Sequence, residues 1–194
     1  MFFAVTLSAQ TKVVGECSVL FNIEQLQAGS WQSLGQKKVQ IKGSQCKTVL
    51  TSPKLQQTLI FNLQQDSALI LKDIGGSHFL QQILFPPNNQ PSLVSMKPVL
   101  LDSASNSSML GYACKRIQVD FSDGAIYDII YTPEIIPTVP YFELAFKEVP
   151  GLVLSYTITS KNGAIVRYTA SQVDLSPITL SQFEVNTANY EVID

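Results

Sequence analysis

Residues 111–151 read GYACKRIQVDFSDGAIYDIIYTPEIIPTVPYFELAFKEVPG. Asp123-Gly124 stands between two β-rich runs, and Asp-Gly supplies the two positive φ angles that a type I′ hairpin needs. A two-residue loop sets Phe121 opposite Ile126, Val119 opposite Asp128 and Ile117 opposite Ile130. Because side chains alternate along a strand, Ile117, Val119, Phe121, Ile126 and Ile130 then share an apolar face. Arg116, Gln118, Asp120, Tyr127, Ile129 and Tyr131 share the other, which is polar but keeps two tyrosines. Asp128 is the misfit on the apolar face. It reads as a barrel-mouth or hydrogen-bonded position, as the sign of a one-residue slip in register, or as a polar group inside a ligand cavity.

Outward from this hairpin the chain continues to read as strands. Residues 11–24 alternate (Val13, Cys17, Val19, Phe21, Ile23) as a first long strand, and 25–36 suggest a short helix or an irregular connection with Trp31 capping the core. From Lys37 a meander of antiparallel strands is expected, punctuated by Gly43-Ser44, Ser52-Pro53 and Gly75-Gly76, with a Pro/Asn loop at 86–91. Beyond the hairpin, prolines keep 135–140 out of any central strand, and 141–146 read as a lid or short helix. Leu152, Leu154, Tyr156 and Ile158 alternate along a strand that Asn162-Gly163 turns, again as type I′, into residues 164–173. Residues 179–183 suggest a one-turn helix and 190–193 an edge strand. The spacing predicts a mainly β, antiparallel fold of about ten strands, a barrel or sandwich.

The chain has 194 residues, enough for one domain with a substantial core. Charged residues are 14% against 45% hydrophobic, with a net charge of −2, so the basic footprint that nucleic acid or an anionic membrane requires is missing. Residues 1–9 (MFFAVTLSA) are apolar and end in small residues, as in a secretory signal-peptide remnant cleaved after Ala9, leaving 10–194 as the mature domain. The run is far shorter than the ~20 residues of a membrane span. Export to a periplasmic or extracellular location is the expectation. There, three cysteines without metal-site or CxxC spacing predict one disulfide and one leftover thiol.

Several motifs carry a family resemblance. They are Gly111-Tyr112-x-Cys114-Lys115, Asp123-Gly124, Tyr131-Thr132-Pro133-Glu134-Ile135 and Val149-Pro150-Gly151-Leu152, extended by Val39–Gly43, Ser52-Pro53, Leu175-Ser176-Pro177 and Phe183-Glu184. Together they resemble a Bacteroidetes periplasmic domain-of-unknown-function family of the GLPGLI type, more distantly similar to LolA/LolB-type lipoprotein carriers. The resemblance spans nearly the whole mature chain and implies a half-open barrel whose concave face is covered by short helices or loops. It also implies a Cys17–Cys114 disulfide, since relatives typically carry cysteines at these two places, with Cys46–Cys114 as the other pairing. Closing so long a loop would stabilise by up to ~4–5 kcal/mol.

Catalytic constellations are weak. His78 is the one histidine. No Gly-x-Ser-x-Gly elbow accompanies it, and it lacks the companion ligands of a zinc site. Asp120 and Asp128 point to opposite faces in the register above, which argues against calcium. Glu134, Glu143 and Glu148 form no identifiable acid/base couple, and Gly75-Gly76 lacks the lysine of a phosphate loop. An enzyme is the least favoured class, and no cofactor is expected. The resemblance and the apolar second faces of the hairpins favour a monomeric carrier or binder of a lipid, acyl chain or other apolar ligand. Its candidate contacts are Phe121, Tyr127, Asp128, Ile129, Tyr131, Tyr141, Phe142, Phe146, Leu154 and Tyr156. The alternative is a structural or interaction module of the cell envelope that meets a protein partner through a sheet edge or residues 141–146.

Overall fold

A computed structural model describes residues 11–86, 91–99 and 108–193. The expected leader at 1–9 lies outside the described residues. Among the described residues sixteen strands follow one another: β1 (Lys12–Val14), β2 (Glu16–Gln27), β3 (Ser30–Lys42), β4 (Gln45–Thr51), β5 (Leu55–Asn62), β6 (Ser67–Ile74), β7 (Ser77–Leu84), β8 (Leu93–Val99), β9 (Ser108–Met109), β10 (Tyr112–Ala113), β11 (Lys115–Phe121), β12 (Ile126–Thr132), β13 (Ile135–Pro137), β14 (Leu152–Thr159), β15 (Ile165–Asp174) and β16 (Glu191–Val192). Single 3-10 turns occupy Leu144–Phe146 and Leu180–Gln182.

Twelve strands form one sheet in the order β16-β7-β6-β5-β4-β3-β2-β15-β14-β12-β11-β8. Two antiparallel meanders, β2 to β7 and β8 to β15, are joined along β2 and β15, and β16 adds to β7 in parallel. The mainly antiparallel β class is as expected, with more strands than the ten foreseen. The sheet does not close into a barrel: β8 and β16 end the order without pairing to each other. It curls instead. Leu59, Ile70 and Ile83 of β5–β7 reach the same cavity as Met96, Phe121 and Tyr127 of the opposite end. Bulges at Ile23/Glu24, Ala170/Gln172 and Ile130/Tyr131 supply the extra bend and twist that such a curl needs.

Both hairpins read as two-residue type I′ turns are one residue out of register. In the first, Asp120 pairs with Ile126, Val119 with Tyr127, Gln118 with Asp128 and Ile117 with Ile129. Gly124 N–H donates to the Phe121 carbonyl and Phe121 N–H to the Ala125 carbonyl, which makes a three-residue loop. Only Gly124 takes positive φ, at +84°. Asp123 stays on the right-handed side and its carboxylate accepts the Ala125 N–H at 2.9 Å. The Asn162-Gly163 hairpin repeats the arrangement, with Gly163 at φ +81° and the Asn162 side chain accepting the Ala164 N–H. Residue pairs with two positive φ angles, as type I′ requires, stand instead at Ala28-Gly29, Gly75-Gly76 and Leu110-Gly111. The first of these makes 25–36 a strand pair rather than a helix or irregular connection.

The shifted register exchanges the two faces of β12 relative to β11. Ile117, Val119, Tyr127, Ile129 and Tyr131 point inward, while Asp128 joins Arg116 and Gln118 outside. There Arg116 Nε donates to Asp128 Oδ1 at 2.6 Å, so the misfit is removed by the slip and not by a cavity. In β14 the bulge sets Val153 opposite Tyr131, which breaks the simple alternation expected there. The core runs along the concave face through Val19, Phe21, Val39, Ile41, Ile129, Phe146 and Tyr156. Elsewhere β1 pairs with β13 outside the large sheet, in keeping with the proline argument. Trp31 lies against the Arg167 guanidinium, 3.9 Å from its ring centroid, and does not cap the core.

The Cys17–Cys114 bridge is not formed, nor is its alternative. All three cysteines are free thiols. Cys17 faces Ile41 across β2–β3, and Ile41 faces Cys46 across β3–β4, so two thiols belong to one inward row as small apolar residues. Cys114 stands before β11 with its thiol against the Tyr112 carbonyl, 3.4 Å away.

Candidate functional site

A cavity of about 540 Å³ lies between the two ends of the curled sheet. Its first wall follows from register. Gln57 and Leu59 of β5, Ile70 of β6 and Ile83 of β7 are inward positions of a meander whose residues alternate in and out. Phe85, stacked on Phe61 with centroids 4.1 Å apart, closes that side. The second wall is Leu93 and Met96 of β8 with Phe121 and Tyr127, whose rings meet edge to face at 5.3 Å. The third is the segment expected to be a lid. Phe142, Glu143, Ala145, Lys147 and Glu148 come from the chain around the 3-10 turn.

The lid is held from below by a buried charged group that sequence reasoning missed. Lys37 occupies an inward position of β3, between Phe21 and Leu50 on the flanking strands, and is 7% exposed. Its ammonium is ion-paired with Glu143 and lies 3.3 Å from the Tyr156 hydroxyl, which donates to Glu143 Oε1 at 2.6 Å. Three rings surround the cation, with centroids at 5.1 Å for Phe142, 5.7 Å for Tyr168 and 5.9 Å for Tyr156. Such a cage favours a desolvated cation electrostatically. Tyr156 and Tyr168 stack with centroids 4.3 Å apart, and the Phe146 ring stands edge-on to Tyr156 at 4.8 Å.

Burial, and then the nearby Glu143 carboxylate, push the phenols of Tyr127 and Tyr156 well above their ordinary range, and that of Tyr168 up to about 12. All three hydroxyls are therefore neutral donors at ordinary pH. Beyond the Tyr156–Tyr168 stack a second hollow of about 390 Å³ opens, lined by Ile23, Leu34, Leu50 and Tyr168.

Of the ten ligand-contact candidates, Phe121, Tyr127 and Phe142 line the large cavity. Ile129, Tyr131, Phe146, Leu154 and Tyr156 are buried in the core around it, and Tyr141 is half-buried on the lid. Asp128 faces away. The residues missed are the aliphatic wall of β5–β8 and Lys37. The alternating pattern of 55–63 and 68–73 could have found the wall. Lys37 carried a weaker signal, an inward lysine in step with Val39 and Ile41.

Among the described residues, no group of three or more His, Cys, Asp or Glu side chains is arranged to hold an ion. His78 sits at the start of β7, its Nδ1 2.6 Å from Asp73 and its ring 5.4 Å from that of Tyr190, with both His78 and Asp73 partly open to solvent. No helix is long and apolar enough to cross a membrane among the described residues.

No family model matches the chain, and no curated protein matches it. Among solved structures it is similar to PNGF-II, determined in a P21 crystal form, with a TM-score of 0.53 and 12% sequence identity. The match covers 93% of this chain but 31% of PNGF-II, so the chain spans about a third of that protein's length. At such identity the likeness is one of fold: the curled β domain recurs as part of a larger protein.

Proposed function

We propose that this protein is a non-catalytic binder of a lipid or other apolar ligand, which it holds between the two ends of its curled sheet. The observation that carries the reading is the cavity of about 540 Å³ with Leu59, Ile70, Ile83, Phe85, Met96 and Phe121 on its walls. A hollow of that size lies within the range of small-molecule sites, and its apolar lining with a few polar groups is their usual composition. The half-barrel of the LolA type and the exported location belong to the same proposal. The first draws support from the approach of β5–β7 to β8 and β11, and the second from the apolar leader-like opening of the sequence. In this reading the protein acts as a monomer, without cofactor or nucleic acid. Phe121, Tyr127 and Phe142 touch the ligand, and the remaining aromatic candidates shape the wall from behind.

Native mass spectrometry of protein isolated under mild conditions, followed by solvent extraction, tests this. A stoichiometric adduct lost on extraction is the expected result. An apo mass that also fails to take up added lipids counts against the binder. It turns attention to an envelope protein partner, for which Leu93 and Val94, 46% and 65% exposed on β8, are the favouring observation.

A further inference from the structure

We infer that the ligand is a neutral, hydroxyl-bearing amphiphile, bound with its hydroxyl on Glu143, and that anionic amphiphiles such as fatty-acid carboxylates are rejected. The inference rests on the apolar-ligand reading and names the class of molecule for the same cavity. Glu143 is the polar group where the lid, the cavity and the buried cation meet. Its Oε1 already receives both Lys37 Nζ and the Tyr156 hydroxyl. Its Oε2 takes no hydrogen bond from any described residue, and the side chain, 25% exposed, lines the cavity. The geometry points to Oε2 as a fixed acceptor aimed at a ligand.

Two features keep that acceptor in place. Lys37 is buried within an aromatic cage, and withdrawing Glu143 would leave its charge unpaired, which is strongly unfavourable. Tyr156, itself a neutral donor, holds the same oxygen. A ligand carboxylate therefore meets the tethered Glu143 carboxylate, while Lys37 is not among the residues that line the cavity. A ligand hydroxyl gains a charge-assisted hydrogen bond. Of the charged residues that line the cavity, Asp123, Glu143 and Glu148 are acidic and Lys147 is basic, so the lining as a whole does not favour an anion.

A matched series tests the idea: 1-decanol, decyl methyl ether and decanoate, each displacing the neutral fluorophore N-phenyl-1-naphthylamine at pH 7.5. The chain is constant, and only the head changes, from donor to acceptor to anion. Decanol is expected to bind tightest and decanoate weakest, with decanol ahead of the ether by roughly tenfold to a hundredfold, the span of one hydrogen bond to a charged group. Lys37→Met combined with Glu143→Gln removes both buried charges together and should shrink the decanol-to-decanoate ratio about tenfold. Glu184→Gln, at an exposed position outside the cavity lining, should leave that ratio within about twofold.

Equal binding of decanol and ether, or decanoate binding as well as decanol, overturns the inference while leaving the cavity reading intact. If the double variant does not fold, the wild-type comparison of decanol with ether decides alone. If neither the fluorophore nor any of the three binds, the apolar-ligand reading itself fails.

Discussion

Strands β14 and β7 are each eight residues long, yet residues 152–156 of β14 are all buried and no residue of β7 is. Their neighbours explain the difference. β14 lies between β12 and β15, with the lid and the β1–β13 pair packed near it, and Val14, Ile135, Val139 and Val149 join its core cluster. β7 has β6 on one side and two residues of β16 on the other. One sheet thus contains a dense half and a thin end, and the cavity opens where they meet. Local stability should follow the same gradient, because regions with few buried apolar contacts open at lower free energy than the global unfolding cost.

Mutation separates the dense half from the thin end. Leu154→Ala, at a fully buried position, should lower unfolding free energy by about 3–5 kcal/mol in urea titration. A loss below ~1 kcal/mol would mean that the dense half is not dense. Glu143→Gln alone should cost about 2–3 kcal/mol, less than for a fully enclosed pair because the carboxylate is a quarter exposed. Lys37→Met added to it should recover most of that loss, and failure to recover would show that the two charges do not act as a pair.

Alkaline pH sharpens the contrast without mutation. Burial raises the Cys17 thiol from 9.0 to about 12. A group whose folded pKa is raised keeps its full contribution below the unfolded value and loses it as pH climbs towards the folded one. Stability should therefore be level up to about pH 9 and fall between pH 9 and 12, by as much as ~4 kcal/mol from this group. Urea midpoints at pH 8.0 and 10.5 measure it, and Cys17→Ala should flatten the slope. The same thiols report accessibility: a thiol reagent should modify half-buried Cys114 first, and Cys17 and Cys46 only as the protein unfolds. The smallest effect is expected at the thin end. Leu84→Ala, at a position 60% exposed, should change stability by less than ~0.5 kcal/mol.

Strand content was legible in the sequence because alternation survives in strands such as β2, β4 and β11, and the turn-rich spacing leaves few other arrangements. Register was not. Asp-Gly and Asn-Gly suit a type I′ turn, but they suit equally a three-residue loop in which only the glycine takes positive φ and the Asx side chain accepts the next N–H but one. The two choices differ by one residue, which exchanges the faces. Asp128 was the clue, since an acid among isoleucines is expensive unless the register is wrong. The site was half legible for a related reason. The aromatic wall followed from the hairpin, whereas the aliphatic wall required knowing that β5–β7 curl round to meet it. The likeness of the cysteine positions to a family was not enough to place two thiols in contact.

The β2–β15 junction has a kinetic consequence. Seven of the other ten neighbour pairs in the large sheet are hairpins with short connections, but Ile23 pairs with Tyr168 across most of the chain. Hairpins close in microseconds, while contacts between distant segments wait on the entropy of long loops. During synthesis, β2 must remain an unsatisfied edge until β15 leaves the ribosome. Whatever shields it in that interval decides how much of the protein reaches its final form.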